Sequence, residues 1–456
     1  MEKKTFYIKT FGCQMNIRDT EIIAQTLAES GYIESPSIEK AHLVVLNTCS
    51  IRAKAEQKVF SLLGSLRKAK KRNPALKICV AGCVAQQEGQ KIIKRMPHVD
   101  LVIGTQHIYN LPTLLRQSSK HSNIAINLSD TYEIPRFVPR LSTADAQAGS
   151  PAPPLDMQFS RFVTIMQGCN NFCTYCVVPY TRGREVSRNV KDIIEEIRKS
   201  VDSGVCEITL LGQNVNSYGQ SNSVMTNGLP CSFSMLLRQV AQVDGLKRLR
   251  FTTSHPKDLS DELISCFAEI DNLCPQFHLP VQSGSDAVLR RMNRKYTTTD
   301  YRRKVEKLLN ARQDLALTTD IIVGFPGETE QDFQQTIDLL EDIRYHGSFS
   351  FKYSDRPGIK ASHLDGKIEE HVKGERLQIF QKRQDEISLE RNKEYIGKSL
   401  LILVESVNYN KLAGRTATNH IVHAGLSPSQ VIRPGEFVNV LITSAGNHSL
   451  KADLLP

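Results

Sequence analysis

Residues 168–176 have the sequence GCNNFCTYC, which places Cys169, Cys173 and Cys176 at the spacing C-x3-C-x2-C directly after a strand-like run. Thiolates are the usual protein ligands of a 4Fe–4S cluster, so three of them leave one iron free to bind something else. An open coordination position usually serves chemistry, as it does at zinc. The stretch therefore predicts a cluster with one open iron, against the alternative of three buried or disulfide-bonded cysteines.

The composition bounds the class of protein. A chain of 456 residues is too long for one ordinary domain and predicts about three. The surplus of 58 Lys and Arg over 48 Asp and Glu, a net charge of +10, favours a polyanionic partner such as nucleic acid. No apolar run approaches the roughly 18 residues of a membrane span, and the N-terminus has no signal region, so we expect a cytoplasmic protein without a membrane partner. In that reducing compartment, clustered cysteines are better metal ligands than disulfides.

The first region, residues 1–120, contains three strand-like runs that each finish at a cysteine. The runs 5–10, 42–47 and 77–81 lead to Cys13, Cys49 and Cys83 respectively. In an open parallel α/β sheet the carboxyl ends of the strands line one crevice, where these thiols would meet. The pattern predicts a second three-cysteine cluster, against the alternative that these cysteines are ordinary core residues and that the protein has a single cluster.

A linker is predicted over residues 121–154, which are rich in Pro, Ser, Ala and Gly. The next region, 155–387, repeats strand then helix about six times and predicts a partial (β/α)6 barrel. In such barrels the side chains just beyond the strands carry the chemistry. The predicted strands are 162–165, 207–211, 249–252, 276–279, 319–323 and 349–352.

The last region, residues 390–456, has short apolar runs separated by Gly, Asn and Pro. The runs 400–404, 415–418, 421–423 and 437–442 predict a small antiparallel β-barrel. The slight excess of basic over acidic residues in this region favours RNA binding, although a domain with only a capping role has the same pattern.

Four motifs carry a resemblance to a known family. They are CTYCVVPYTRG at 173–183, NVNSYG at 214–219, SHP at 254–256 and GRT at 414–416. With the three regions in this order, the chain is identified as a member of the radical S-adenosylmethionine methylthiotransferase family over essentially its whole length, and it is most similar to members that act on tRNA. The C-terminal barrel then resembles the family's TRAM domain. Two residues depart from the usual pattern, Ile359 in place of Thr and His420 in place of Arg.

The resemblance implies an activity and its cofactors. The expected reaction is methylthiolation of carbon 2 of N(6)-dimethylallyladenosine at position 37 of tRNA, next to the anticodon. It implies two 4Fe–4S clusters, on Cys13, Cys49 and Cys83 and on Cys169, Cys173 and Cys176. Two S-adenosylmethionine molecules are expected, one as methyl donor and one as radical source, and no acid–base pair is needed. The expected cofactor contacts are Tyr175, Gln213, Asn214, Ser254, Gln282, Gly324 and Glu328.

The expected partners are tRNA and an electron donor of the flavodoxin or ferredoxin type, and we expect a monomer. The candidate RNA contacts are Arg294, Lys295, Tyr296, Lys411 and Arg415. One rival hypothesis is a methylthiotransferase for a ribosomal protein residue or for threonylcarbamoyl-adenosine in tRNA. A rival from another class is a non-catalytic iron–sulfur protein that binds RNA.

Overall fold

The computed structural model describes residues 4–50, 53–117, 123–140, 159–222, 224–226, 228–427 and 430–455. The predicted architecture is confirmed: an open parallel α/β sheet is followed by a partial parallel barrel with outer helices and by a small closed β-barrel. Among the described residues, none of the helices combines the length and the apolar character that a transmembrane span requires.

The first sheet is parallel throughout. Its strands are β1 (Thr5–Thr10), β2 (Ile33–Glu34), β3 (Leu43–Thr48), β4 (Lys77–Gly82), β5 (Leu101–Ile103) and β6 (Asn123–Ala125). Its helices are α1 (Gln14–Glu29), α2 (Ala53–Arg72), α3 (Cys83–Glu88), α4 (Gln90–Arg95) and α5 (Leu111–Gln117). All residues of β3 are buried, as expected for a central parallel strand covered on both faces. The sheet extends to Ala125, past the predicted domain end at residue 120.

The strand order is β2-β1-β3-β4-β5-β6. The strand after β1 in sequence, β2, pairs on one side of β1, and the next strand, β3, pairs on the other side. The strand order therefore reverses between β1 and β3. Ligands of open α/β sheets bind outside the carboxyl ends of the strands at such a reversal. The three strands that were predicted to end at cysteines are observed as β1, β3 and β4.

The described part of the connector, residues 126–140, packs against both neighbouring domains. Phe137 is buried in the core of the first domain, and its carbonyl oxygen accepts a hydrogen bond of 3.1 Å from Arg188 Nη2. The rest of the predicted linker, 121–122 and 141–154, lies outside the described residues.

The second domain alternates strands and helices. Its strands are β7 (Ser160–Thr164), β8 (Met166–Gln167), β9 (Val186–Ser187), β10 (Glu207–Leu211), β11 (Met225–Thr226), β12 (Leu229–Pro230), β13 (Arg248–Phe251), β14 (Gln276–His278), β15 (Ala316–Val323) and β16 (Gly347–Lys352). Its helices are α6 (Val178–Thr181), α7 (Val190–Asp202), α8 (Phe233–Ala241), α9 (Asp261–Glu269), α10 (Asp286–Arg291), α11 (Thr298–Ala311), α12 (Glu330–Ile343) and α13 (Glu370–Lys393).

Six parallel strands form the partial barrel, in two sheets of order β13-β10-β7 and β14-β15-β16. A parallel bridge between Leu249 and Leu273 links the two sheets. All six predicted strands are present. The outward-facing side chains, such as Val163, Ile208 and Phe277, are buried against the helices in one apolar core. In the described chain β7 and β16 have no further strand neighbour, so the barrel is open between them.

The third domain is a closed barrel of order β17-β18-β19-β21-β20. Its strands are β17 (Ser399–Asn408), β18 (Lys411–Thr416), β19 (Ile421–Gly425), β20 (Phe437–Ala445) and β21 (Ser449–Leu454). The sequence analysis did not predict β21, although its alternation of buried Leu450 and Ala452 with exposed neighbours is typical of a strand.

Two buried arginines of β13 fasten the third domain to the barrel. Arg248 Nη2 donates to the carbonyl oxygen of Leu401 at 2.8 Å, and Arg250 Nη2 donates to that of Thr416 at the same distance. Charged donors to backbone oxygens make strong hydrogen bonds. The third domain is therefore fixed beneath the amino ends of the barrel strands.

Candidate functional site

Cys13, Cys49 and Cys83 lie together at the carboxyl edge of the first sheet, as predicted. Their backbones are held by two fully buried asparagines. Asn16 Nδ2 donates to the carbonyl oxygen of Thr48 at 3.1 Å, and Asn47 Nδ2 donates to that of Asn16 at 2.8 Å. Because these bonds join the segment after β1 to the end of β3, they fix the two cysteine-bearing turns relative to each other.

Close backbone packing at this edge requires glycine. Gly82 ends β4 with a φ of +91°, and a Cβ there would lie 2.4 Å from the carbonyl oxygen of Thr48. Gly12 precedes Cys13, and a Cβ there would lie 2.6 Å from the Cβ of Cys49. Neither position accepts a side chain without moving a cysteine-bearing turn.

A buried ion pair from two domains borders this triad. Arg182, which follows the second cysteine motif, donates to Asp19 on α1 at 2.6 Å, and both side chains are about 4% exposed. Burial raises the pKa of Cys83 while the Arg182 guanidinium lowers it. A hydrogen bond with Cys49 lowers the pKa of Cys13 to about 6, and the charge of Arg182 contributes to that lowering. The guanidinium therefore offsets part of the charge of thiolate ligands.

Cys169, Cys173 and Cys176 lie together in the loop after β7 and β8. Each thiol of the motif acts electrostatically on the others, and burial raises the pKa of Cys169 to about 11 and that of Cys176 to about 12. Without iron these two thiols are protonated at neutral pH, so metal loading must release protons. The backbone N–H of Val178 donates to Cys176 Sγ at 3.5 Å, a bond that favours the thiolate.

Arg294 and Tyr296 were predicted to contact RNA, but both are buried within the barrel. Arg294 Nη1 lies 3.5 Å from Cys173 Sγ and 3.4 Å from the hydroxyl of Tyr175, and Nη2 donates to Pro280 O at 2.7 Å. Tyr296 donates to Val281 O at 2.8 Å. Burial therefore argues against an RNA contact for either residue. Arg294 instead lies beside Cys173, and Tyr296 accepts a hydrogen bond of 2.8 Å from Arg294 Nε.

Four polar atoms at the carboxyl ends of β10 and β13 are buried and lack a hydrogen-bond partner among the described residues. They are Gln213 Nε2, Asn214 Oδ1, Ser254 Oγ and His255 Nε2. An unsatisfied buried polar atom costs about 1–3 kcal/mol, so a polar ligand that pairs with them is favoured. Donors and acceptors are both present, as an amino acid moiety requires. The first three residues are predicted cofactor contacts, and the structure brings them together.

Gly324 and Glu328 form a braced turn after β15. The carboxylate of Glu328 accepts a bond of 2.7 Å from the Gly324 N–H and one of 2.8 Å from Arg376 Nη1. Glu328 therefore shapes the turn, and only the backbone at Gly324 is left to approach a cofactor. Gln282 has a φ of +76°, and its N–H donates to Asp320 O at 2.8 Å. That bond holds the Gln282 turn on the rim of the barrel.

A cavity of about 690 Å³ runs through the open side of the partial barrel. All three domains contribute walls: Cys13 and Gln14 from the first, inward-facing residues of the barrel strands from the second, and Glu405, Arg415 and Asn419 from the third. Sites for small organic groups commonly have roughly 300–1,000 Å³. The cavity therefore connects one cysteine triad with the barrel interior and the third domain.

The remaining predicted RNA contacts lie nearer the surface. Lys295 and Lys411 are exposed, and Arg415 is half-buried at the cavity, where its Nε donates to Glu405 at 2.8 Å. These three side chains stay candidates for contact with a polyanion.

Two family models match the chain. Residues 5–104 match the uncharacterized protein family UPF0004, and residues 163–340 match the Radical SAM superfamily. A tRNA-2-methylthio-N(6)-dimethylallyladenosine synthase from Desulfotalea psychrophila is 59% identical over 100% of both chains, and one from Syntrophus aciditrophicus is 46% identical over 100% of this chain and 95% of its own. The chain belongs to the tRNA-2-methylthio-N(6)-dimethylallyladenosine synthase family.

Among solved structures, the radical S-adenosylmethionine methyltransferase TsrM from Kitasatospora setae superposes with a TM-score of 0.57 at 14% identity, covering 79% of this chain and 77% of its own. That likeness concerns the fold. Membership in the synthase family and the matched superfamily establish that the enzyme uses S-adenosylmethionine and a 4Fe–4S cluster.

The residues of this synthase family member fit those groups. Each triad brings three thiols together, and the four unpartnered polar atoms remain available to pair with the polar groups of S-adenosylmethionine. In the described part of the chain no three His, Cys, Asp or Glu side chains are grouped to hold a single metal ion. A 4Fe–4S cluster has a different requirement, because its thiolates bind different irons.

Several residues of the synthase site were not predicted from the sequence. Asp19, Glu185 and His278 are polar residues that lie close to the triads or in the cavity. Glu185 is 6% exposed, and its carboxylate accepts bonds from Ser217 and Ser221 at 2.6 and 2.8 Å. The signal available was weak, since a lone acid or histidine in a loop or strand has many ordinary roles.

Proposed function

We propose that this enzyme transfers a methylthio group to carbon 2 of N(6)-dimethylallyladenosine at position 37 of tRNA, with a second 4Fe–4S cluster on Cys13, Cys49 and Cys83. The observation that carries the proposal is the cavity. Cys13 lines it on one side, and the barrel whose rim bears Cys169, Cys173 and Cys176 encloses it on the other. A base in this cavity would lie beside Cys13 and inside the barrel that bears the second triad at its carboxyl end.

The chain's own residues have distinct tasks in this proposal. Cys169, Cys173 and Cys176 would hold the first cluster, which together with S-adenosylmethionine would supply the radical chemistry needed to remove an unactivated hydrogen. Gln213, Asn214 and Ser254 orient the amino acid part of the cofactor through atoms that otherwise lack partners. The N-terminal triad would hold the second cluster, which would hold or donate the sulfur.

The cavity is proposed to hold the target base. A base at position 37 must leave the anticodon stack to enter a protein cavity, as in other enzymes that modify bases. Lys295, Lys411 and Arg415 are proposed to contact the RNA backbone, so binding weakens with rising salt. We further propose a cytoplasmic monomer with domains near 1–120, 155–387 and 390–456, and an electron donor of the flavodoxin or ferredoxin type.

The test uses anaerobically reconstituted wild type with S-adenosylmethionine, reductant and prenylated tRNA, followed by mass spectrometry of the digested nucleosides. Cys169→Ala is expected to abolish both the methylthio product and 5′-deoxyadenosine. Cys13→Ala is expected to abolish the product and to remove about half of the bound iron. The matched control is Cys206→Ala, a half-buried cysteine outside both triads, which is expected to retain iron and activity.

The outcomes separate the rival hypotheses. If 5′-deoxyadenosine forms but no RNA product appears, the tRNA substrate is wrong, and the ribosomal-protein and threonylcarbamoyl-adenosine substrates are tested next. Full iron in Cys13→Ala contradicts the second cluster. A fully loaded wild type that never consumes S-adenosylmethionine contradicts the enzyme proposal and supports the non-catalytic iron–sulfur protein.

A further inference from the structure

Two phenylalanines line the cavity from opposite edge strands of the partial barrel. Phe162 lies on β7 and is half-buried, and Phe349 lies on β16 and is 58% exposed. A single exposed phenylalanine on a surface needs no explanation. Here both rings face one cavity, on the two strands between which the barrel is open, so the entrance has an apolar wall on each side.

The ring of Phe349 is supported from within the barrel. His278 packs edge-on against it, with ring centroids 6.0 Å apart and planes at 75°. His278 is itself fixed, because Nδ1 lies 3.0 Å from Thr318 Oγ1 and Nε2 lies 3.4 Å from Asp320 Oδ1. Asp320 is the register partner of Phe349 across β15 and β16. An exposed ring with such support is already ordered, so little conformational entropy of this side chain is lost when a ligand stacks on it.

The charges in the cavity are already neutralised. Arg250 Nε donates to Glu207 at 2.9 Å, and Arg415 Nε donates to Glu405 at 2.8 Å. The two cations that line the cavity therefore have carboxylate partners. An additional anionic group on a bound base would have to displace a carboxylate from one of these two cations, whereas an apolar group finds two aromatic faces.

We propose that Phe349 and Phe162 select an adenine that carries an apolar prenyl group, with the base stacked on Phe349 and the prenyl chain against Phe162. This rests on the proposed function and assigns its substrate specificity to two residues. Stacking of a base on an aromatic ring contributes about 1–3 kcal/mol, and burial of apolar carbons adds to it. Adenine with a carboxylate-bearing threonylcarbamoyl group is disfavoured by the same walls.

The experiment measures dissociation constants of the reconstituted enzyme for anticodon stem-loop RNAs with prenylated, unmodified or threonylcarbamoylated adenosine at position 37. Wild type is expected to prefer the prenylated RNA. Phe349→Ala and Phe162→Ala are each expected to reduce that preference about tenfold. Phe349→Tyr, which keeps the ring, is expected to restore most of it. Iron content and formation of 5′-deoxyadenosine without RNA report that each variant is folded.

The matched control is Phe351→Ala. It removes a 39% exposed ring that lies on the same strand as Phe349 but does not line the cavity. It is expected to leave the preference unchanged. Equal weakening of all three RNAs by Phe349→Ala overturns the proposal, as does a loss in Phe351→Ala of the same size. If wild type modifies prenylated RNA while the preference stays intact in both alanine variants, the specificity proposal fails and the proposed function survives.

Discussion

Arg182 and Asp19 join two domains through a bidentate contact, with Nη2 2.6 Å from Oδ2 and Nη1 3.4 Å from Oδ1. Arg182 belongs to the loop that follows the second cysteine motif, and Asp19 belongs to α1, which begins just after Cys13. Both are buried. The pair therefore fixes the loop after one triad against the helix that begins beside the other, and the ion pairs of Arg18 with Glu196 and of Arg161 with Glu21 join the same two domains.

Arg182→Met is expected to lower the free energy of unfolding by about 3–5 kcal/mol, because it leaves the Asp19 carboxylate buried without its cation. Anaerobic denaturant unfolding of the reconstituted protein measures the change. Arg182→Met combined with Asp19→Leu removes both charges and is expected to recover most of the stability. A single variant as stable as wild type would show that the pair is not buried in solution.

Gly82→Ala is expected to lower the iron bound by the N-terminal triad, since the new Cβ meets the Thr48 carbonyl oxygen at 2.4 Å. Iron analysis and the visible absorption of the reconstituted protein measure this. Gly31→Ala is the control, with a similar φ of +85° and no neighbour within 4 Å of the added Cβ. Both variants place a Cβ at a positive φ, but only in Gly82→Ala does it meet a neighbouring atom, so equal iron content in the two would contradict a steric role for Gly82.

Ser254→Ala is expected to weaken S-adenosylmethionine binding about five- to tenfold while leaving cofactor-free stability unchanged or higher. The reason is that Ser254 Oγ has no partner among the described residues, and deletion of an unsatisfied hydroxyl removes its desolvation cost. Equilibrium dialysis and thermal unfolding measure the two effects. Ser203→Ala, which removes an exposed hydroxyl directly after α7, serves as the reference. A stability loss in Ser254→Ala without a change in affinity would count against a cofactor contact.

Acid is expected to destabilise the protein through two half-buried histidines at the junction of the second and third domains. Burial lowers the pKa of His346 to about 3 and that of His420 to about 4, and their rings lie 5.8 Å apart. Between these values and the unfolded pKa of about 6.5, the unfolded chain binds protons that the folded chain does not. Stability therefore falls as the pH falls below about 6.5, by about 1 kcal/mol for each histidine at pH 5.5.

Thermal unfolding at pH 7.5 and 5.5 measures this dependence. His420→Asn is expected to reduce the difference between the two pH values, since one of the titrating groups is gone. A variant with the pH difference of wild type would assign the acid sensitivity to other groups.

The fold followed from the sequence wherever strands are fully buried and end at chemically distinctive residues. β3 and β4 are continuous apolar runs that finish at Cys49 and Cys83, so both their strand character and their meeting point were predictable. The short strands β2, β5 and β6 have two or three residues each, which is too few for a periodic signal.

The site was harder to predict where the function of a residue depends on burial. Arg294 and Tyr296 belong to a basic stretch, which favours a surface contact by composition alone, yet their hydrogen bonds to Pro280 and Val281 place them inside the barrel. The Arg182–Asp19 pair joins residues 163 apart in sequence, and one sequence carries no signal of such a contact. The Arg182–Asp19 pair and the cavity can be recognised only once the three-dimensional arrangement of the domains is known.

Residues of the third domain form one wall of the cavity. Arg415 and Asn419 line it together with Cys13, so the first and third domains border the same cavity. While the chain is being synthesised, the residues of both cysteine triads are made before the residues of the third domain that line this cavity. Clusters inserted at that stage would enter a cavity that the third domain does not yet border. The third domain would add its wall to the cavity only afterwards.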